Sequence, residues 1–163
     1  NHIAVRLPHL TLIGVYFKPA SDLDDIIMCL ANALNHASTS HPILIGGDFN
    51  LRPDSVAFAE VSSFLCHYGL SIASDITKPT YTYSKGSSCL NYIFVSRSLA
   101  FNQVSLLDTS CSDHHPLQIK TFLPRNMLKT DVFHLLLPGF ILIPLLNAFL
   151  TSILLLLPTF SLL

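Results

Sequence analysis

Ile43-Leu44-Ile45-Gly46-Gly47-Asp48-Phe49-Asn50 is the segment from which the whole chain can be laid out. Its three branched apolar residues read as a short buried strand. The paired glycines let the strand end turn sharply and let a second backbone or a ligand come close. Asp48 and Asn50 then stand at a strand's carboxyl end, where rigid sheets commonly present their chemistry. Two readings follow from these residues alone. A carboxylate and a carboxamide two positions apart can converge on one point across the turn. Equally, both residue types hydrogen-bond local backbone, so the pair can serve as an Asx turn capping the strand.

Upstream, residues 2–7 and 10–17 read as two strands around a Pro8-His9 turn, and Tyr16 closes the second just before Lys18-Pro19. Pro19 stops that strand, and Ser21 or Asp22 supplies a helix N-cap with Asp24 and Asp25 in the first turn. Apolar residues from Leu23 through Leu34 then recur at helical spacing, predicting a helix to about Ala37. Downstream, Arg52-Pro53-Asp54-Ser55 is a turn with an N-cap, and Val56, Phe58, Val61, Phe64 and Leu65 mark a second helix ending near Gly69. Short strands are expected at 70–73, 103–107 and 116–122, and a helical turn at 98–101. A hairpin is expected between 80–83 and 90–95 around the polar turn 84–88. Helices falling between strands, with no repeat, argue a layered α/β fold.

The 163 residues suffice for one domain, but their composition is uneven. Every Asp, Glu, Lys and Arg lies within 1–131, leaving 132–163 without a charge. The net charge of −1 points by itself to no polyanionic partner. Residues 76–130, however, hold six basic and two acidic side chains, a balance that suits either phosphates or a solvated surface. Cys29, Cys66, Cys89 and Cys111 include no CxxC pair, which excludes a metal finger and leaves core cysteines of a reducing compartment. No signal-like run opens the sequence, and it starts at Asn1 inside an alternating pattern; we therefore expect a fragment whose upstream part is missing.

The second informative segment is Ser112-Asp113-His114-His115-Pro116, a polar loop running into an apolar strand. Its carboxylate can serve a metal or a proton, and its imidazole has an ordinary pKa near neutrality. Metal-assisted phosphodiester hydrolysis needs acidic oxygens for a hard cation, a group that orients water, and neutral donors for the phosphate. Asp48, Asn50, Asp113 and His114 match that list.

Gly46 to Asn50, the strand end Val15-Tyr16-Phe17-Lys18-Pro19, the hairpin from Thr82 to Val95 and Ser112 to Pro116 resemble, in order and spacing, the endonuclease/exonuclease/phosphatase superfamily. Within it the chain looks most like the apurinic-type endonuclease domain of non-LTR (LINE-like) retrotransposons. The resemblance covers about residues 2–122 and implies an α/β sandwich of two mixed sheets flanked by helices, incomplete at the N-terminus. It implies Mg²⁺-dependent hydrolysis of DNA, with Mn²⁺ as a substitute ion. Asp48 would orient and deprotonate the attacking water, Asn50 would donate to a phosphate oxygen, and Tyr16 would stand near the phosphate. His114 would contact the scissile phosphate, and Asp113 would belong to the metal-facing acidic cluster. Arg52 and Ser88 are candidate phosphate contacts, and Thr82 and Tyr83 lie on the hairpin that resembles a DNA-facing element.

Two departures stand out. Family members read Ile-Asp-Tyr where this chain has Leu90-Asn91-Tyr92, and that aspartate orients the catalytic imidazole; Asn91 hydrogen-bonds without stabilising an imidazolium. The family's Mg²⁺-binding Glu also has no counterpart ahead of Tyr16. Glu60, the one Glu present, reads as a solvated helix residue, His115 as a strand-entry residue, and Tyr81 and Tyr92 as strand packing. The alternatives to a nuclease are an inactive relic or membrane-associated protein keeping only the fold, and a phosphoesterase for a lipid or inositol phosphate.

The expected division is a partial catalytic domain at 1–123, a linker at 124–131 and an apolar tail at 132–163. Within the tail, the uncharged stretch 139–157 is long enough to cross a hydrocarbon core of about 30 Å as a helix, kinked at Pro144. Arg125 and Lys129 ahead of it would keep the body cytoplasmic. A membrane anchor, a segment translated beyond a decayed element's frame and a buried helix are the three readings of this tail.

Overall fold

A computed structural model describes residues 2–7, 9–37, 41–107, 112–121, 136–137, 140–147 and 150–156. In chain order the described elements are β1 (His2–Leu7), β2 (Leu10–Tyr16), α1 (Leu23–Asn35), β3 (Ile43–Asp48), α2 (Val56–His67), β4 (Leu70–Ile72), β5 (Tyr81–Tyr83) and β6 (Gly86–Ser88). They continue with β7 (Asn91–Ser96), β8 (Phe101–Leu106), β9 (Leu117–Thr121), β10 (Leu136–Leu137), β11 (Phe140–Asn147) and β12 (Leu150–Leu156).

Both helices start where the side chains dictate. The Asp22 carboxylate accepts from Asp24 N at 2.8 Å, and the acidic first turn complements the helix dipole. The Ser55 hydroxyl accepts from Phe58 N at 3.1 Å to start α2. The first helix ends at Asn35, two residues short of the expected Ala37, with His36 capping it.

The first sheet has the order β1-β2-β3-β7-β4. Only β2 and β3 pair in parallel, and α1 makes the crossover that a parallel pair requires. Alternation assigns each face. Ile13, Val15, Phe17, Ile45, Tyr92 and Phe94 pack with Phe49 under Ile26, Leu30 and Leu34 of α1 and Phe58, Val61 and Leu65 of α2. On the opposite face Leu10, Leu12, Leu44, Ile93 and Val95 meet Leu117 and Ile119 of β9, in a second sheet of order β10-β11-β12-β9-β8. The result is an α/β sandwich: helices, sheet, sheet.

Strand pairing departs from the sequence expectation at the hairpin. Residues 81–83 pair with 86–88, and Asn91–Ser96 instead runs between β3 and β4. Asn91 through Val95 are all buried, and a strand apolar on both faces belongs in the middle of a covered sheet. The expected helical turn at 98–101 is a bend closed by Leu99 N to Ser96 O, with β8 already starting at Phe101.

The tail is a second correction. Its described residues form strands, not a helix: β11 pairs with β12, and β12 continues the second sheet by pairing antiparallel with β9, Ser152 opposite Lys120. Pro144 is compatible with a strand here because, among the described residues, β10 pairs with β11 only at Phe140 and Ile141 and no pairing partner flanks Pro144 on that side. No helix among the described residues is long and apolar enough to cross a membrane, a statement that does not extend to crossing by strands. The expected linker at 124–131, with Arg125 and Lys129, lies outside the described residues, as do Cys111 and Phe122.

Candidate active site

Tyr16, Asp48 and Asn91 lie side by side in register on β2, β3 and β7, Tyr16 opposite Asp48 and Asp48 opposite Asn91. Period-two alternation puts the row on the same face as Leu12, Leu44 and Ile93, at the end where the apolar filling stops. Asp48 is 6% exposed and Asn91 1%, while Tyr16 is open to solvent. Gly47 makes the row possible, since a Cβ there would overlap the Val15 carbonyl oxygen. The close approach that the two glycines suggested is thus made by the neighbouring strand's backbone.

Asn50 takes a left-handed backbone conformation, φ 50°, and wraps around Asp48. Its backbone N–H donates to Asp48 Oδ1 at 3.0 Å, which is the Asx turn, and its amide donates to Asp48 Oδ2 at 3.1 Å and to Phe17 O at 2.8 Å. Both sequence readings of this turn therefore hold together. The two oxygens facing the Asn50 side-chain amide, Asp48 Oδ2 and Phe17 O, fix its orientation, since a flipped amide would point oxygen at oxygen. With both amide hydrogens used, Asn50 holds the carboxylate in place instead of offering a free donor to a phosphate. Burial raises the Asp48 carboxyl above the ordinary carboxylate range, with the charge of His114 and the two Asn50 N–H groups pulling in the opposite direction.

His114 reaches the row from the loop before β9. Its Nδ1 is 3.2 Å from Asn91 Oδ1, and its Nε2 is 4.0 Å from Asp48 Oδ2. Ser112 Oγ accepts from the His114 backbone N–H at 2.9 Å. In this arrangement Nδ1–H donates to Asn91, whose own Nδ2 is buried with no hydrogen-bond partner among the described residues. Asp48, Asn50, Asn91, His114 and Tyr16 are brought together as a group at one end of the sandwich.

The other candidates stand further out. Asp113 is exposed and tied down through its carbonyl, which accepts from Thr82 N at 2.9 Å. Thr82 and Tyr83 are exposed on the β5–β6 hairpin, Tyr83 stacking on Tyr81 with centroids 5.4 Å apart. Arg52 pairs with Asp54 at 3.0 Å in solvent, and Arg52 and Ser88 line one open cleft of about 250 Å³ with Thr77 and Pro79. Glu60 is exposed on α2.

Sequence reading missed Thr80, a buried residue whose hydroxyl accepts from Leu90 N and Asn91 N, both at 2.9 Å. It also treated Tyr81 as packing, although its ring lies 4.7 Å from that of His114. No local signal marks either contact. Among the described residues, no three His, Cys, Asp or Glu side chains converge to hold an ion.

Residues 5–114 match the sequence profile of the endonuclease/exonuclease/phosphatase family. The chain belongs to this family. Comparison with curated proteins gives no match. Among solved structures it is similar to the endonuclease domain of TRAS1, a telomere-specific non-LTR retrotransposon, at 18% identity and TM-score 0.59, covering 71% of this chain and 58% of that one. It is also similar to an endonuclease/exonuclease/phosphatase family protein from Leptotrichia buccalis, at 17% identity and TM-score 0.52, covering 75% of this chain and 53% of that one. A third is the mannosyl-6-phosphatase from Bacteroides thetaiotaomicron, at 15% identity and TM-score 0.50, covering 70% of this chain and 51% of that one. The chain thus spans little more than half of each, and the shared feature is the family's α/β sandwich.

Proposed function

We propose that this chain carries the catalytic face of a DNA endonuclease of the retrotransposon kind, hydrolysing phosphodiester bonds at a rate reduced by Asn91. The observation that carries the reading is the convergence of Asp48 and Asn91 on opposite ends of one imidazole, that of His114. Asp48, in its ionised form, takes a proton from water as the water oxygen attacks phosphorus. Its raised pKa makes it a stronger base than a solvated carboxylate. His114, when Nε2 carries a proton as well as Nδ1, donates from Nε2 toward a non-bridging oxygen, and Tyr16, beside Asp48, faces the same phosphate. The P–O3′ bond breaks with its electron pair going to the 3′ oxygen, which takes a proton from solvent water, leaving a 3′-hydroxyl and a 5′-phosphate. Positioned charge of this kind supplies much of the catalysis in phosphoryl chemistry.

The TRAS1 likeness and the exposed Thr82–Tyr83 hairpin support DNA as the substrate, with Arg52 and Ser88 contacting its backbone. Mg²⁺, or Mn²⁺ in its place, and Asp113 as its ligand enter from the family resemblance. Because the described side chains do not build an ion site, every step above uses the chain's own groups. A second reading, an inactive relic, is favoured by Asn91, a neutral amide beside the imidazole where the resemblance implies an aspartate.

The test is conversion of supercoiled plasmid to nicked circles by the 163-residue chain, with and without Mg²⁺, beside Asp48→Ala. Nicking that depends on Mg²⁺ and on Asp48 is expected. Hydrolysis of a phosphomonoester without nicking would instead make the chain a phosphatase. No hydrolysis by folded protein, even with Asn91→Asp, would make it a relic.

A further inference from the structure

We propose that Tyr81 is a positioning residue for His114, so that the small β5–β6 hairpin sets where the imidazole stands. The proposal deepens the nuclease reading, and only its kinetic arm depends on that reading.

Tyr81 and His114 form an isolated antiparallel bridge. The bridge is bounded by Thr82 N donating to Asp113 O at 2.9 Å and His115 N donating to Thr80 O at 2.8 Å. These two bonds flank the Tyr81–His114 pair without joining it, which makes it the non-hydrogen-bonded kind, whose side chains approach most closely. The rings accordingly meet with centroids 4.7 Å apart and planes inclined by 47°. Tyr81 is backed by Tyr83, stacked at 5.4 Å and 23°, so swinging away from His114 would break that stack.

The hairpin in turn is anchored at its root. Thr80, 1% exposed, donates its N–H to Ser88 O at 3.0 Å, while its hydroxyl accepts from Leu90 N and Asn91 N. One buried residue therefore locates both Tyr81, whose ring meets the imidazole at a tilt, and Asn91, at its Nδ1. Asp48 stands beyond Nε2, and the ring is bounded on three sides by β3, β5 and β7. Without Tyr81 the ring is free to tilt about its Asn91 hydrogen bond, and a displacement of about 1 Å costs on the order of 100-fold in rate.

The experiment compares the full chain with Tyr81→Phe and Tyr81→Leu. Tyr81→Leu is expected to lower kcat for plasmid nicking on the order of 100-fold with KM unchanged, whereas Tyr81→Phe, which keeps the ring, retains kcat. In proton NMR, the His114 ring resonances, identified among the eight histidines by their loss in His114→Gln, should lie upfield in wild type and Tyr81→Phe. In Tyr81→Leu they should move toward the solvent-exposed histidines. Wild-type protein should also show a nuclear Overhauser contact between the two rings, readable whether or not Tyr81→Leu folds. Absence of that contact, unmoved His114 resonances in Tyr81→Leu, or equal loss of kcat in Tyr81→Phe would overturn the proposal. If wild type nicks no DNA, the nuclease reading fails and the NMR arm alone decides the role of Tyr81.

Discussion

Replacing Asn91 by aspartate puts a negative charge in the place of an amide oxygen 3.2 Å from His114 Nδ1, in a position 1% exposed. The change preserves side-chain shape and removes the buried Nδ2–H that has no partner among the described residues, which as an unsatisfied donor costs about 1–3 kcal/mol. At an effective dielectric constant of about 20, opposite unit charges at that separation attract by about 5 kcal/mol, much of it offset by desolvation of the carboxylate. The remainder favours a protonated His114 with Nδ1–H aimed inward and Nε2–H facing the substrate side. In a serine protease the reverse exchange, Asp to Asn beside the catalytic imidazole, costs about 10⁴ in rate, which bounds the gain here by analogy. Asn91→Asp is therefore expected to nick supercoiled plasmid about 10²–10⁴ times faster than wild type in Mg²⁺. The gain should vanish when His114→Ala or Asp48→Ala is added. A folded Asn91→Asp protein no faster than wild type would refute the assignment of Asn91 as the partner that limits His114.

Three further outcomes follow from the same geometry. Because burial raises the Asp48 carboxyl, the stability present with it protonated is lost as pH rises from the ordinary carboxylate range through the raised folded-state pKa. Urea midpoints of wild type and Asp48→Asn should thus converge in acid and separate at neutral pH with the variant higher, and the opposite order would refute burial as the dominant cause. Phe49 is fully buried with its ring 5.5–5.7 Å from those of Phe17, Tyr92 and Phe94, so Phe49→Ala should cost about 3–5 kcal/mol in urea denaturation. Gly47→Ala would drive a Cβ onto the Val15 carbonyl, its carbon 2.8 Å away, and should destabilise by about 4 kcal/mol or more. Wild-type-like yield and circular dichroism from that variant would show that β2 and β3 do not need this approach.

Both helices and the strand carrying Asp48 were legible in the sequence because periodicity, capping and glycine placement act between near neighbours, while the structure chose Asp22 over Ser21 as the first cap and Ser55 as the second. The ordered motifs at Asp48, Asn91 and His114 were legible for the same reason, and they sufficed to indicate the family. Pairing was not. That β7 lies between β3 and β4, that β5 closes on β6, and that the apolar tail adds strands to β9 depend on backbone groups finding partners far away in the chain. So does the site itself. Sequence determined which residue types reach a strand end, whereas tertiary structure alone decided that Asn50 spends its amide on Asp48 and that Thr80 and Tyr81 locate the imidazole. The physical reason is that a hydrogen bond or ring contact is specified by register and distance, which no local pattern encodes until both strands are in place.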